Sequence, residues 1–259
     1  MGGVRPNVTV RELMYRKDQV IQEELDVIQQ NMARHRIEVI QGTGSLTGSN
    51  RVKVVGDNGI EQSLTAEAIV LSTGTRPYHP DDIDFDHKFI YDGESILNLD
   101  ILPQSLTIIG GGVIGCEYAC IFAHLGINVT IVDDREQLLS FLDREIVEAL
   151  MYLMRKYRIT LNLGDGADQV EIRNNQVIVV TKRGRKIVSD RLLYAAGRVG
   201  NTESLGLDKV GIEVNKRGLI KVDGQYETGV KGIYAVGDVI GFPSLASVSM
   251  DQGRLAALH

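Results

Sequence analysis

Apolar residues recur at helical spacing near the start of the chain, where Leu13, Val20, Ile21, Leu25, Ile28 and Met32 stand among charged residues between Thr9 and Arg36. The pattern predicts one long amphipathic helix with one face buried. Its stripe is too short and imperfect for a coiled-coil seam, so the expected cover is the chain's own core. The period then shortens. Ile37–Ile40, Arg51–Val55 and Ala68–Leu71, separated by turns such as Asp57-Asn58-Gly59, read as strands of a small sheet. Arg76 to Pro103 holds no sustained period and is predicted to be an irregular connector, with a domain boundary near Pro103. Its acidic stretch, Asp81 to Asp86, lacks the glycine and closing glutamate of a calcium loop and reads as surface.

Past Pro103 the pattern becomes an alternation of strand and helix. The apolar run Leu106–Ile109 meets Gly110-Gly111-Gly112-Val113-Ile114-Gly115, an amphipathic segment follows from Cys116 to Leu125, and a second strand, Asn128–Val132, ends at Asp133. Strand, glycine turn, helix, strand and acid in this order form a dinucleotide fingerprint. The first glycine permits the turn, the second lets backbone approach a diphosphate, and the third lets helix and strand pack closely. The acid falls about twenty residues on, where a ribose reader is expected. A helix over Asp143–Tyr157, a strand over Ile159–Leu163, a hairpin around Asn174-Asn175 and a strand over Arg191–Tyr194 continue the alternation. Val230–Val236 is a last strand, running into Gly237-Asp238. The fold class is α/β: a Rossmann-like domain with a parallel sheet, helices and a β-hairpin or meander.

Composition narrows the partners. With 259 residues, 43% of them hydrophobic, the chain can bury a substantial core and fits two domains. A net charge of -6 and a pI near 5.4 argue against nucleic acid, which demands a basic face. The one basic run, Lys182 to Lys186, centres on Gly184 and reads as a solvated hairpin turn. No apolar run is long enough to cross a membrane and no secretory leader opens the sequence, so a cytoplasmic location is expected. Cys116 and Cys120 do not have redox or zinc spacing and read as buried thiols. The histidines show no paired metal spacing, and a structural role is expected for His79.

Three further strings resemble the flavoprotein pyridine-nucleotide oxidoreductases that carry two dinucleotide sites. Ser72-Thr73-Gly74-Thr75-Arg76-Pro77 is similar to that family's crossing between domains, Ala196-Gly197-Arg198-Val199-Gly200-Asn201-Thr202 to its segment near the nicotinamide, and Ile233-Tyr234-Ala235-Val236-Gly237-Asp238 to the strand whose aspartate holds the flavin's ribityl chain. Arg76-Pro77-Tyr78-His79-Pro80, Ile114 to Ala119, Phe141-Leu142-Asp143 and Gly241 to Ser247 resemble the branch that exchanges hydride between nicotinamide nucleotides.

The resemblance implies FAD, NAD(H) and NADP(H) as cofactors and substrates. NADPH would reduce FAD and leave, and NAD⁺ would then take the hydride, with positioning as the protein's task and no acid or base residue required. The residues implied in binding are Ser72, Thr73, Gly74, Gly110, Gly112, Val113, Ile114, Gly115, Glu117, Asp133, Asp134, Arg135, Gly197, Arg198, Gly237, Asp238, Leu245 and Ala246. The helix opening at Leu245 and Ala246 would aim backbone N–H groups at the flavin's pyrimidine carbonyl. Asp133 suits a ribose hydroxyl and repels a 2′-phosphate, a repulsion that Arg135 would offset, so NAD(H) is expected to be preferred and NADP(H) tolerated. Glu117 reads equally as a nicotinamide neighbour or as a helix-terminus charge, and Val113 stands where some relatives place a gating tyrosine. Residues 1–103 and 229–259 would belong to an incomplete FAD-binding domain and residues 104–228 to the nicotinamide domain. The chain is expected to be an internal fragment that holds FAD weakly and is inactive alone, from a parent that dimerises through a further domain. A disulfide reductase of the lipoamide dehydrogenase type and a non-catalytic NAD(H)-binding module are the alternatives.

Overall fold

A computed structural model describes residues 9–259. Its first element, α1 (Val10–Arg34), opens on a capping box: the Glu12 amide donates to Thr9 Oγ1 at 3.2 Å and the Thr9 amide donates to the Glu12 carboxylate at 2.8 Å. It closes with Arg36 in the left-handed region (φ 55°), where the Ile37 amide reaches the Met32 carbonyl and the Arg36 amide that of Ala33. That closure uses the segment expected to be a strand. Ile37–Ile40 forms no strand, and Ile37 and Val39 are exposed. The apolar stripe of α1 is not buried either: no residue of the helix is, and Val20, Ile21, Leu25 and Ile28 are all exposed. Met14 packs, partly buried, against a core, and the Lys17 ammonium donates to the Leu97 carbonyl.

The chain continues through β1 (Thr43–Gly48), β2 (Arg51–Val55), β3 (Glu61–Thr65), β4 (Ile69–Leu71), β5 (Thr75–Pro77), β6 (Ile90–Asp92) and β7 (Ser105–Ile109) to α2 (Val113–His124). Then come β8 (Asn128–Asp133), α3 (Arg144–Lys156), β9 (Thr160–Leu163), β10 (Ala167–Arg173), β11 (Gln176–Thr181), β12 (Lys186–Ser189), β13 (Arg191–Tyr194), β14 (Arg198–Gly200), β15 (Ile233–Ala235) and α4 (Ala246–Ala256). Among the described residues two compact units result, one of residues 9–29 and 77–197, the other of residues 30–76 and 198–259.

The first unit is built on a five-stranded parallel sheet ordered β6-β13-β7-β8-β9. Ile90–Asp92, upstream of the boundary expected near Pro103, is one of its strands because it pairs with β13. The turn before it is fixed by Asp86, whose carboxylate accepts from the amides of Lys88, Phe89 and Ile90. Along β7 the faces alternate. Leu106 and Ile108 join α2 and α3 in one core with Ala119, Phe122, Val147 and Met154, while Ile109 packs with Ile90, Leu192, Val177 and Val179 beneath the antiparallel meander β10-β11-β12. The Asn174-Asn175 hairpin has both residues at positive φ, 52° and 61°, as a type I′ turn requires.

The second unit joins the meander β1-β2-β3 to the parallel pair β4 and β15. Leu46, Ile69, Leu71, Leu207, Ile220 and Ile233 form its core.

Candidate functional site

The glycine turn lies between β7 and α2, and each glycine is required for a different reason. Gly110 has φ 111°, and a Cβ there would stand 2.6 Å from the Ala195 carbonyl oxygen. A Cβ on Gly115 would fall on the Gly110 carbonyl oxygen, so the third glycine sets how closely the helix approaches its strand. A Cβ on Gly112 would meet nothing within 4 Å. Gly112 is the N-cap of α2, and no side chain caps it. The first-turn amides therefore open onto the space that a Gly112 side chain would fill, which is the shape and polarity a diphosphate needs.

Asp133 closes the other side. It is buried, and its Oδ2 accepts from the Gly111 amide and from Arg135 Nη2 at 2.7 Å, while Oδ1 accepts from the Arg135 amide at 2.8 Å and from Arg135 Nε at 2.9 Å. The roughly four acceptor positions of a carboxylate are thus filled. Burial pushes this carboxyl up, but the Arg135 side chain and the amides of Gly111 and Arg135 outweigh it and hold it below the usual carboxylate range. The arginine that charge counting assigned to an incoming phosphate is engaged by the aspartate two residues earlier. Asp134 is exposed and pairs with Lys182 at 2.7 Å.

Further along α2, Val113 and Glu117 are exposed, and Ile114 is half-buried. Tyr118 donates to the Gly93 carbonyl at 2.8 Å. His79 stacks on Phe85 with ring centroids 3.8 Å apart and meets the buried Asp92 at 2.7 Å. Gly197 has φ 139°, and its carbonyl accepts from the Tyr78 amide. Cys116 is buried and Cys120 half-buried. Burial drives the Cys116 thiol up to about 12 and raises Cys120 as well. A chromogenic disulfide reagent at pH 7.5 is expected to find no fast thiol in the folded chain and both thiols in denaturant. A burst of one equivalent without denaturant would contradict this.

In the second unit, the parallel ends of β4 and β15 bring Ser72-Thr73-Gly74 beside Gly237-Asp238, with the Val236 amide donating to the Leu71 carbonyl. Thr75 organises the group. Its hydroxyl accepts from Arg198 Nε at 2.7 Å and donates to Asp238 Oδ2 at 3.4 Å, while Arg198 Nη2 also donates to the Thr75 carbonyl. Asn201 braces the preceding turn through the carbonyls of Thr73 and Gly74. The buried Gly237 amide is satisfied by Gln252 Oε1 from α4 at 2.7 Å. Leu245 is the N-cap of α4, with no side-chain cap, and Ala246 begins the helix.

The expected binding residues therefore fall into two groups, one in each unit. The first holds Gly110, Gly112, Val113, Ile114, Gly115, Glu117, Asp133, Asp134, Arg135 and Gly197, and the second holds Ser72, Thr73, Gly74, Arg198, Gly237, Asp238, Leu245 and Ala246. Thr75 and Asn201 lie in the strings quoted from the sequence but were not among the expected binding residues, and Gln252 was not singled out at all. The signal for Gln252 was faint: one amide side chain on the inner face of a short helix. Among the described residues no three His, Cys, Asp or Glu side chains could hold a metal ion, and no helix is long and apolar enough to cross a membrane.

The family model described as pyridine nucleotide-disulphide oxidoreductase matches residues 3–253. The chain belongs to this family. Among curated members, it is 51% identical over 225 residues to the soluble pyridine nucleotide transhydrogenase of Pseudomonas fluorescens strain Pf0-1, covering 87% of this chain and 48% of the relative. The transhydrogenase of Pseudomonas putida strain KT2440 gives the same figures. The chain thus spans about half the length of the curated relatives it matches. Among solved members, LpdA of Mycobacterium tuberculosis superposes with a TM-score of 0.92 at 28% identity, covering 98% of this chain and 57% of that one. The HOCl-induced flavoprotein disulfide reductase RclA of Escherichia coli gives 0.84 at 31%, covering 95% and 55%. Members of the family are flavoprotein oxidoreductases that use nicotinamide nucleotides, which fits the glycine turn of the first unit.

Proposed function

We propose that this chain serves an enzyme exchanging hydride between NADPH and NAD⁺ by way of FAD, with the first unit holding the nicotinamide nucleotides and the second contributing to the flavin site. The observation that carries this reading is the uncapped head of α2, opened by Gly112 and flanked by a carboxylate at the end of the neighbouring parallel strand. The 51% identity to transhydrogenases supports the choice of reaction.

In this reading the amides that open α2 take the nucleotide's diphosphate, and Asp133 stands at the adenosine ribose. FAD, when bound, would supply the hydride-carrying chemistry between the two nicotinamides. The exchange, NADPH plus NAD⁺ to NADP⁺ plus NADH, moves a hydride and no net proton, so the chain's residues need only bind and orient. Glu117 is then a positioning residue. In the second unit Asp238, held by Thr75, would accept hydrogen bonds from the flavin's ribityl hydroxyls, and the first-turn amides of α4 after Leu245 and Ala246 would turn positive polarity toward its ring. The Thr75, Asp238 and Gly237 arrangement fits that task, because its carboxylate stands at a strand end and its glycine amide is already satisfied from behind by Gln252. Alone, the chain is expected to bind nucleotide better than flavin. A disulfide reductase is the second reading, favoured by the likeness to the E. coli flavoprotein disulfide reductase; burial raises both thiols of α2, so its redox thiols would not be Cys116 or Cys120.

ADP-ribose at a hundred times its Kd is expected to stabilise the purified chain by about 2.7 kcal/mol, seen as a rise in melting temperature. Reduction of thionicotinamide-NAD⁺ by NADPH in the full-length enzyme tests the chemistry. A melting curve indifferent to ADP-ribose, NADH and NADPH alike would remove the nucleotide site, and with it the proposed exchange.

A further inference from the structure

We propose that Lys182, on the hairpin between β11 and β12, is a specificity-determining residue that lets the strand end after β8 accept a nucleotide bearing a 2′-phosphate. The inference rests on the nucleotide site proposed above and names a residue which that reading does not use.

The end of β8 presents Asp133, Asp134 and Arg135 in succession. Arg135 neutralises Asp133 through the two-pronged pair already described, which leaves the charge of Asp134 unmatched by its own strand. Lys182, 48 positions away, supplies the missing cation at 2.7 Å. Two carboxylates beside the ribose would repel a phosphate dianion, and a cation placed between Asp134 and that phosphate lessens the repulsion.

Lys182 is not carried there by a loose turn. Asp165 is buried and holds the hairpin by both oxygens: Oδ2 accepts from the Thr181 hydroxyl at 2.7 Å, and Oδ1 accepts from the Arg183 amide at 2.9 Å. The Lys182 amide donates to the Gly166 carbonyl at 2.9 Å. On its other side the same loop is tied to the strand end, with the Gly164 amide donating to the Arg135 carbonyl and the Asp165 amide to the Asp133 carbonyl. A Cβ on Gly166 would run into the Asp134 carboxylate, so glycine there is what lets Asp134 lie against this loop and meet Lys182. An unbroken run of hydrogen bonds thus fixes the backbone of Lys182 relative to Asp133 and Arg135. Its ammonium remains exposed and exchangeable: the pair with Asp134 is 56% and 61% exposed, and such pairs contribute little, so Lys182 can turn to a phosphate oxygen at small cost. The basic run that patterning reads as a solvated turn is, at its first residue, part of the nucleotide-facing rim.

Calorimetric titration of the purified chain at low salt with 2′-phospho-ADP-ribose and with ADP-ribose tests this. Lys182→Ala is expected to weaken the 2′-phosphorylated ligand about tenfold and ADP-ribose less than about twofold, with the gap shrinking in high salt. Removing the uncovered charge as well, in Lys182→Ala with Asp134→Asn, is expected to recover most of the lost affinity. Equal weakening of both ligands in Lys182→Ala would make the residue merely structural, and no change in either would make it irrelevant; both overturn the proposal. If the unaltered chain binds neither ligand, the nucleotide site itself is wrong. If it binds both and Lys182→Ala weakens them equally or not at all, the site stands and this inference falls.

Discussion

Gly115→Ala is expected to destabilise the chain by about 3 kcal/mol or more and to abolish nucleotide binding, whereas Gly112→Ala is expected to abolish binding alone. The added methyl at position 115 falls on the Gly110 carbonyl oxygen, which belongs to the turn that α2 must pack against. Only a shift of the whole helix relieves the clash. That shift disturbs Ala119 and Phe122, both packed in the core under β7. Overpacking a well-filled interior costs about 1–3 kcal/mol, and more when backbone is the obstacle. At roughly 2–4 °C per kcal/mol for a domain of this size, the melting point should drop by about 6–12 °C. Position 112 has room for a methyl and an ordinary negative φ of -80°, so its variant should melt with the parent. Its methyl would stand where the diphosphate is proposed to lie, and ADP-ribose affinity should fall at least about tenfold. Thermal melts and ADP-ribose titrations on the two variants decide the matter, and a Gly112→Ala chain that binds as well as the parent would show that the cradle lies elsewhere.

Replacing Asp133 should have the second largest effect. Asp133→Ala leaves the Gly111 amide without its acceptor inside a buried turn and Arg135 without its partner, a loss of about 2–4 kcal/mol, with nucleotide binding lost as well. The same carboxylate predicts a pH dependence. Its folded-state pKa is depressed, so the stability it contributes is fully present above the unfolded value of about 3.9 and is lost as pH falls through the lower folded value. Urea unfolding of the parent and of Asp133→Asn at pH 5.5 and near pH 3 should show the gap between them narrowing in acid. A gap of constant width would mean that shape, rather than charge, is what Asp133 supplies.

The glycine turn was legible in the sequence because its constraints are local: three backbone positions that cannot carry a side chain, at fixed spacing, between an apolar run and a helix. The parallel sheet was legible because short apolar runs alternate with helical segments after Pro103. What escaped depends on partners remote in sequence. The exposed pair of Lys182 with Asp134 joins a hairpin to a strand end, and no period or spacing announces it. Arg135 was visible as a cation near the ribose position, but its two-pronged hold on Asp133 depends on the bend of the chain after β8. The stripe on α1 shows which face of the helix is apolar, while burial requires a surface to meet it. Ile37–Ile40 carried a strand-like composition, yet its first amide was already committed to closing α1.

The parallel pair of β4 and β15 sets an order on how the molecule is made. Thr75 and Asp238, which follow these strands and bond to each other, are 163 positions apart. On a ribosome adding about 5–20 residues each second, the earlier strand emerges roughly 8 to 30 seconds before its mate exists. Through that interval the five-stranded sheet of the first unit can close from contiguous sequence, while Ile69 and Leu71 wait for the strand that pairs with them. Slow translation or a stalled terminus should therefore leave the second unit, and not the first, as the part that recruits chaperones.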